Sequence, residues 1–114
     1  GSIVNIASGA GQRGLPNNAV CAAAKAGVIA LSHSLAEEYR RSGVRIKVVS
    51  PEPIEGEPSR NLPNRAFHEQ HGHQPLSADE VVGAVVYFAS DLSGDVTSRR
   101  LNVRNSNRRQ RWIA

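Results

Sequence analysis

From Asn18 to Ser42 the chain holds no proline, is dense in alanine, and stops at Gly43, which together specify one long helix. What constrains the fold is the surface of that helix. Between Ala22 and Leu31 the only charged side chain is Lys25, so apolar groups run almost all the way round. A helix on the surface of a domain shows a single apolar stripe, and this one shows two. Val20, Val28, Leu31 and Leu35 are expected along one side, and Ala22, Ala26, Ile29 and Ala36 along another. One side can cover a sheet. The other requires a second helix, from this chain or from another copy.

The flanks supply the sheet. Ile3-Val4-Asn5-Ile6 is a β-branched run that leaves into Ser8-Gly9-Ala10-Gly11, then Gly14 and Pro16, the pattern of a buried strand ending in a glycine turn. Val44 to Ser50 reads as a second strand closed by Pro51 and Pro53. Residues 51–76 are rich in proline, histidine and charge, and read as one long loop with room for a short helix. A loop of that length is a candidate lid or binding loop. Ser77 and Glu80 are spaced as a capping box, and Val81, Val82, Val85, Val86, Phe88 and Ala89 carry a second helix to about Asp91. Leu101-Asn102-Val103 is the last strand. Strands alternate with helices, so the expected class is α/β, with three parallel strands and two main helices.

Composition narrows the setting. With 39% hydrophobic and 21% charged residues the chain reads as globular. No apolar run approaches the ~18 residues of a membrane span, so no membrane association is expected. Cys21 is the one cysteine, which excludes an internal disulfide and suits a reducing, cytoplasmic setting. The net charge of +4 is uneven. Arg99, Arg100, Arg104, Arg108, Arg109 and Arg111 stand near the end with no acid among them, while the body before them is slightly acidic. Residues 104–114 therefore read as a basic tail on a domain of residues 1–103. Such a tail could grip nucleic acid through its arginines and Trp112. One aromatic, and no basic face on the body, make a solvated terminus the better reading.

Gly9-Ala10-Gly11-Gln12-Arg13-Gly14 satisfies the spacing G-x-G-x-x-G after a strand and before a helix. A dinucleotide cradle also needs an acid roughly 20 residues on, at the end of the next strand. Ser34 stands at that distance, and the first acid after a strand is Glu52, so a plain glycine turn is expected. A second pattern over the same residues is more specific. Ile3 through Ser8, Gly11, Gly14, Pro16 and Ala24-Lys25-Ala26 closely resemble the short-chain dehydrogenase/reductase family. So do Gly43-Val44-Arg45-Ile46-Lys47-Val48-Val49-Ser50-Pro51 and the run from Ala89-Ser90-Asp91 through Val96-Thr97 to Leu101-Asn102-Val103. The resemblance spans nearly the whole chain in register. It implies the C-terminal half of a Rossmann-like doubly wound parallel sheet, with Gly1 near the midpoint of a family domain and residues 51–76 as the substrate-type loop.

The resemblance also implies a nicotinamide-dependent alcohol/carbonyl oxidoreductase, with NAD or NADP as cofactor. The family uses a serine, a tyrosine and a lysine, the tyrosine four residues before the lysine. Positions i and i+4 share a helix face, so the ammonium lowers the hydroxyl's pKa while the serine holds the substrate oxygen. The matching catalytic positions are Ser8, Cys21 and Lys25, with Lys25, Pro51 and Ile54 toward the cofactor. Cys21 departs from the pattern. A thiol, with a reference pKa of about 8.5 against about 10 for a phenol, loses reach rather than acidity. Glu52 stands at the family's glycine, where a carboxylate would face the cofactor's phosphates unless it turns away. Arg104-Asn105-Ser106 replaces the family's Asp-Gly-Gly, and the family's nucleotide loop would lie upstream of Gly1.

These departures predict a protein of the family type that is inactive as this chain alone. The alternatives are a non-catalytic subunit or oligomerisation scaffold and, second, a nucleic-acid-binding fragment. The expected partner is a second copy or another partner chain, meeting it through the helix of residues 18–42. His68, His71 and His73, beside Glu69, have the crowding of a zinc or nickel site, but no fourth ligand is fixed nearby. They are expected to be loop histidines, with no metal bound.

Overall fold

The computed structural model describes residues 1–56, 63, 65–71 and 74–105. Strands β1 (Ser2–Ile6), β2 (Arg45–Pro51) and β3 (Arg99–Val103) form one parallel sheet in the order β1-β2-β3. Ser2 pairs with Arg45 and Ile6 with Val49, while Lys47 pairs with Arg99 and Pro51 with Val103. Parallel neighbours need long crossovers, and two helices provide them: α2 (Ala19–Glu38) and α4 (Ala78–Ala89). Alternation along β2 sends Val48 toward α2 and Val49 toward α4. The middle strand is covered on both faces and is buried from Ile46 through Pro51. This is the doubly wound α/β arrangement expected from the sequence.

The capping box at the start of α4 is present: Ser77 N–H donates to Glu80 Oε2 at 2.8 Å, and Glu80 N–H donates back to Ser77 Oγ at 3.4 Å. α2 ends at Glu38 rather than Ser42. A 3₁₀ turn over Arg40–Ser42 tightens the exit, and Gly43, at φ 70°, supplies the left-handed residue that stops it. The turn expected after β1 is a one-turn helix, α1 (Ala10–Arg13). Gly11 explains its position. A Cβ there would stand 2.7 Å from Ala26 N and from Lys25 C, so α1 lies directly on the backbone of α2. Within residues 51–76 the short helix is α3 (Arg65–Gln70), and Ile54 bridges Leu76 in parallel.

The faces of α2 divide differently from the expected sets. Val28 and Ile29 were placed on opposite sides, yet both pack toward Ala7 and Val48, with Ser32 and Ala36 sealed behind them. Neighbouring residues are only about 100° apart on a helix, so both can straddle the line of contact. Val20 and Leu31 face outward, 85% and 58% exposed. By length and composition α2 is also apolar enough to cross a membrane, against the expectation that no segment would be. Its isolated Lys25 and small polar residues do not offset the alanine and β-branched content, and here the helix lies on a sheet.

One buried group was not anticipated. Lys47 is fully buried in β2, and its Nζ donates to Phe88 O at 2.7 Å, to Ser93 O at 3.1 Å and to Ser93 Oγ. It also sits 5.4 Å from the centre of the Phe88 ring. These oxygens close the end of α4 and the 3₁₀ turn Asp91–Ser93, where the helix dipole favours a cation. Burial pushes the Lys47 ammonium below its ordinary range, and the neighbouring Arg45 adds to the effect.

Candidate active site

Parallel strands deliver all their C-terminal ends to one edge of the sheet, the place where open α/β folds bind ligands. Pairing between β1 and β2 continues past the strands: Ala7 N–H donates to Val49 O at 2.8 Å and Gly9 N–H to Pro51 O at 3.2 Å. That extension fixes Ser8 at the rim. Its Oγ accepts from Ala10 N–H at 3.2 Å, so the hydroxyl keeps its own proton for another acceptor. Beside it opens a cavity of about 470 Å³ lined by Ser8, Cys21, Pro51, Glu52, Ile54 and His68, with an apolar wall that includes Ile6, Ala7 and Leu15.

The structure thus brings Ser8, Cys21, Pro51 and Ile54 to one cavity. Cys21 lies exposed on the first turn of α2. Lys25 follows one helical turn later and does not line the cavity; its Nζ donates to Ile6 O at 3.2 Å. Glu52 does line it, but its charge is claimed. Both of its carboxylate oxygens accept from Arg13 Nη2, at 2.9 and 3.0 Å, and Arg104 Nε stands 3.8 Å away. A Cβ on Gly9 would lie 2.7 Å from Glu52 Oε1, so the carboxylate rests over that glycine. The substitution of glycine by glutamate therefore ties the end of β2 to α1.

His68 is the site residue that sequence reasoning missed. It belongs to α3, only 6% exposed, with its ring edge-on to Phe67. Burial pushes its imidazole below the ordinary histidine range; Glu52 pulls it back up, while Arg13 and His71 push it further down. The one local signal was the spacing Phe67-His68-x-x-His71 on a helix, where His71 stacks on Phe67 at 4.1 Å and leaves His68 to turn inward. His73 lies outside the described residues, and among those described no three His, Cys, Asp or Glu group to hold a metal.

The apolar lining would suit the nicotinamide end of a dinucleotide. Pro51 and Ile54 give it a flat apolar wall, and the bridge to Leu76 uses Pro53 O and Glu55 N–H, leaving the amide and carbonyl of Ile54 pointing away from it. The phosphate end finds no cradle among the described residues. In the Gly9–Gly14 stretch, Gly11 serves the contact between α1 and α2, as the expected turn would.

Comparison with known proteins agrees in extent. Residues 1–104 match the family model described as Enoyl-(Acyl carrier protein) reductase. The chain is 33% identical over 107 residues to the 3-oxoacyl-(acyl-carrier-protein) reductase of Chlamydia trachomatis and 34% identical over 107 residues to that of Thermotoga maritima. It is 34% identical over 107 residues to an acetoacetyl-CoA reductase of Shinella zoogloeoides. Each match covers 90% of this chain and 43% or 44% of the relative, so the chain spans less than half of their length. A crystal structure described as that of a betaketoacyl-ACP reductase superposes with a TM-score of 0.73 at 30% identity, over 91% of this chain and 45% of that one.

Proposed function

The chain belongs to the short-chain dehydrogenase/reductase family, and on that premise we propose that it forms the substrate side of an NAD(P)-dependent carbonyl reductase site for 3-oxoacyl compounds. The observation that carries the reading is the shared cavity. Ser8 from the end of β1, Cys21 from α2, and Pro51 with Ile54 from the end of β2 meet at the C-terminal edge of the sheet.

A bound nicotinamide would supply the hydride; the chain's own residues do the rest. The Ser8 hydroxyl donates a hydrogen bond to the substrate oxygen and fixes where the carbonyl sits. Pro51 and Ile54 wall one side of the nicotinamide. Lys25 fastens α2 to the last carbonyl of β1 and so holds Cys21 in place. Cys21 stands where the family's longer proton donor would, and the described residues offer the phosphates no cradle. Both features support a chain that is inactive in isolation.

Calorimetry with NADH and NADPH should show no micromolar binding by the purified chain. Micromolar binding would restore the Gly9–Gly14 stretch as a phosphate site and overturn this division of labour. In parallel, titration with ethyl acetoacetate, a small 3-oxo ester, should shift the amide resonances of Ser8 and Ile54. A spectrum unchanged at tens of millimolar would remove the cavity as a substrate site.

One observation favours the scaffold reading as a second role. Val20, Ala23, Ala24, Gly27 and Leu31 are all exposed and recur at helical spacing along α2, an apolar stripe that soluble monomers rarely leave bare. A second copy would cover it. Sedimentation should show self-association that Leu31→Arg weakens at least tenfold. Ile29→Arg is not the test, since Ile29 is buried against the sheet and its loss unfolds the domain. A monomer at high micromolar concentration would exclude the interface.

A further inference from the structure

We propose that His68 delivers the proton to the substrate oxygen in this cavity, the task for which Cys21 is too short. The inference rests on the carbonyl-reductase reading above and adds to it a residue at which the family resemblance gives no role. His68 reaches the cavity from α3, an element separate from those carrying Ser8 and Cys21, and so lines the wall with an independent acid. The other titratable groups in that wall are Cys21, Glu52 and Glu55. Glu52 is held by Arg13, and Glu55 is exposed at the mouth.

An imidazole suits the task on three grounds. Its conjugate acid carries an exchangeable proton, and because burial holds the ring below the ordinary histidine range that form is populated on the acid side of neutrality. Its ring extends further from the backbone than a thiol. Its near-complete burial, with Phe67 edge-on, fixes the ring, and a proton donor must be positioned to be effective. Among the described residues the charged groups around it are Glu52 just past β2, Arg13 on α1 and His71 in the turn after α3, with Glu55 in the same cavity wall. Burial is the main force holding the ring neutral, Glu52 opposes it, and Arg13 and His71 add to it.

The step balances simply. The carbonyl carbon accepts a hydride, with its two electrons, from a reduced nicotinamide, and the C=O π pair moves onto oxygen. That oxygen, held by the Ser8 hydroxyl, forms an O–H bond as an N–H bond of the His68 imidazolium breaks. Neutral imidazole remains, and water restores its proton.

The test uses the chain as it is, with 1-benzyl-1,4-dihydronicotinamide as a hydride donor that needs no phosphate cradle and ethyl acetoacetate as the carbonyl. First, the ring resonances of His68 should titrate below the ordinary histidine range and shift saturably with ethyl acetoacetate, a readout independent of turnover. Second, the rate of reduction at the acid end of the His68 titration should fall at least tenfold in His68→Gln, the lower edge of what positioned acid catalysis contributes (~10²–10⁴-fold) diluted by the truncated donor. Glu37→Gln, exposed at the far end of α2, should keep the wild-type rate. The rate should also decline with rising pH along the titration curve read from the His68 ring. A loss confined to Cys21→Ala, with His68→Gln at the wild-type rate, overturns the proposal while leaving the cavity as the substrate site. Failure of ethyl acetoacetate to shift any cavity residue overturns the proposal together with the reading it rests on, whereas ester binding with no reduction above the buffer rate overturns the proposal alone. If His68→Gln fails to fold, the wild-type titration decides: a ring that ignores the ester is not its proton donor.

Discussion

On the α4 side of the sheet, Val49, Leu76, Val81 and Phe88 close into one apolar cluster, with Val4, Val85 and Val103 packed against it. On the α2 side the cluster is Ala7, Ile29 and Val48, and much of what surrounds it is small and polar. Asn5 Nδ2 donates to Ser32 Oγ at 2.8 Å, and Ser32 Oγ donates back to its own helix at Val28 O, 2.6 Å away. The large side chains of one layer hold the sheet together by burial. The small ones of the other let helix backbones approach closely, which is what brings Ser8 and Cys21 to one cavity. Stability is thus weighted to the α4 face, while the site opens at the C-terminal edge, where Ile54 from the α4 side meets Cys21 from α2.

The most severe way to break that contrast is to empty each layer in turn. Phe88→Ala should cost about 3–5 kcal/mol, since the ring is fully packed and also meets Lys47. Ile29→Ala should cost about 2 kcal/mol, the low end for such truncations, because the thinner layer can settle around the gap. Urea midpoints at constant m-value compare them directly. Equal losses would mean that the two layers share the load.

A smaller effect probes the close approach itself. Gly11→Ala drives a methyl into the backbone of α2 at Lys25 and Ala26, where nothing can rotate aside, and should cost about 1–3 kcal/mol. Gly9→Ala meets only the end of the Glu52 side chain, which can swing, and should be milder. A thermal scan of the two variants separates them. Should Gly9→Ala be the worse, the Arg13–Glu52 clamp holds α1 more firmly than its contact with α2 does.

The next effect is read along the pH axis, and each layer has its own group. Lys47 lies on the α4 side with its pKa depressed from 10.5 by burial. Between the folded value and 10.5 the unfolded chain binds the extra proton, so stability rises with pH through that window and is lost as pH falls through the folded value. His68 behaves likewise below 6.5: the unfolded chain takes the proton first, and acid favours unfolding or release of α3. Neither slope can exceed about 1.4 kcal/mol per pH unit, the value of one full proton. Lys47→Met should flatten the alkaline rise and His68→Gln the acidic one. If the alkaline rise persists in Lys47→Met, another group carries it.

How much of this was legible in the sequence follows the range of each interaction. The helix of α2, the capping box at Ser77 and Glu80, and the three strands were readable because their signals lie within a turn or a strand of themselves. The pairing of Ser8 with Cys21 was readable because it came with the family's spacing. Lys47 was not: in a strand it looks like an outward polar residue, and only the distant Phe88 and Ser93 reveal that it is buried. His68 was hidden for the same reason, since Glu52 and Arg13 meet it from other parts of the chain. The helix α1 was masked by its own glycines, of which Gly11 serves a contact with α2 and Gly14 the positive-φ exit.

The smallest effect tests the least economical atom on the α2 face. Ser50 shares the side of β2 that carries Val48, is 1% exposed, and has an Oγ without a hydrogen-bond partner among the described residues. A buried hydroxyl left unpaired loses its contacts with water and gains none, a cost of about 1–3 kcal/mol. Ser50→Ala removes the oxygen and keeps the Cβ, leaving a void smaller than a methyl group. Against that small loss of packing, the relief should leave the variant about 1 kcal/mol more stable, with the same m-value and an unaltered Ser32–Asn5 bond. Ser50 pairs with Asn102 across the sheet, so backbone register should not change. An equilibrium urea titration is sensitive enough to see the gain. A loss of stability instead would show that the hydroxyl is satisfied by a buried water, and that the α2 layer is more completely hydrogen-bonded than its side chains alone suggest.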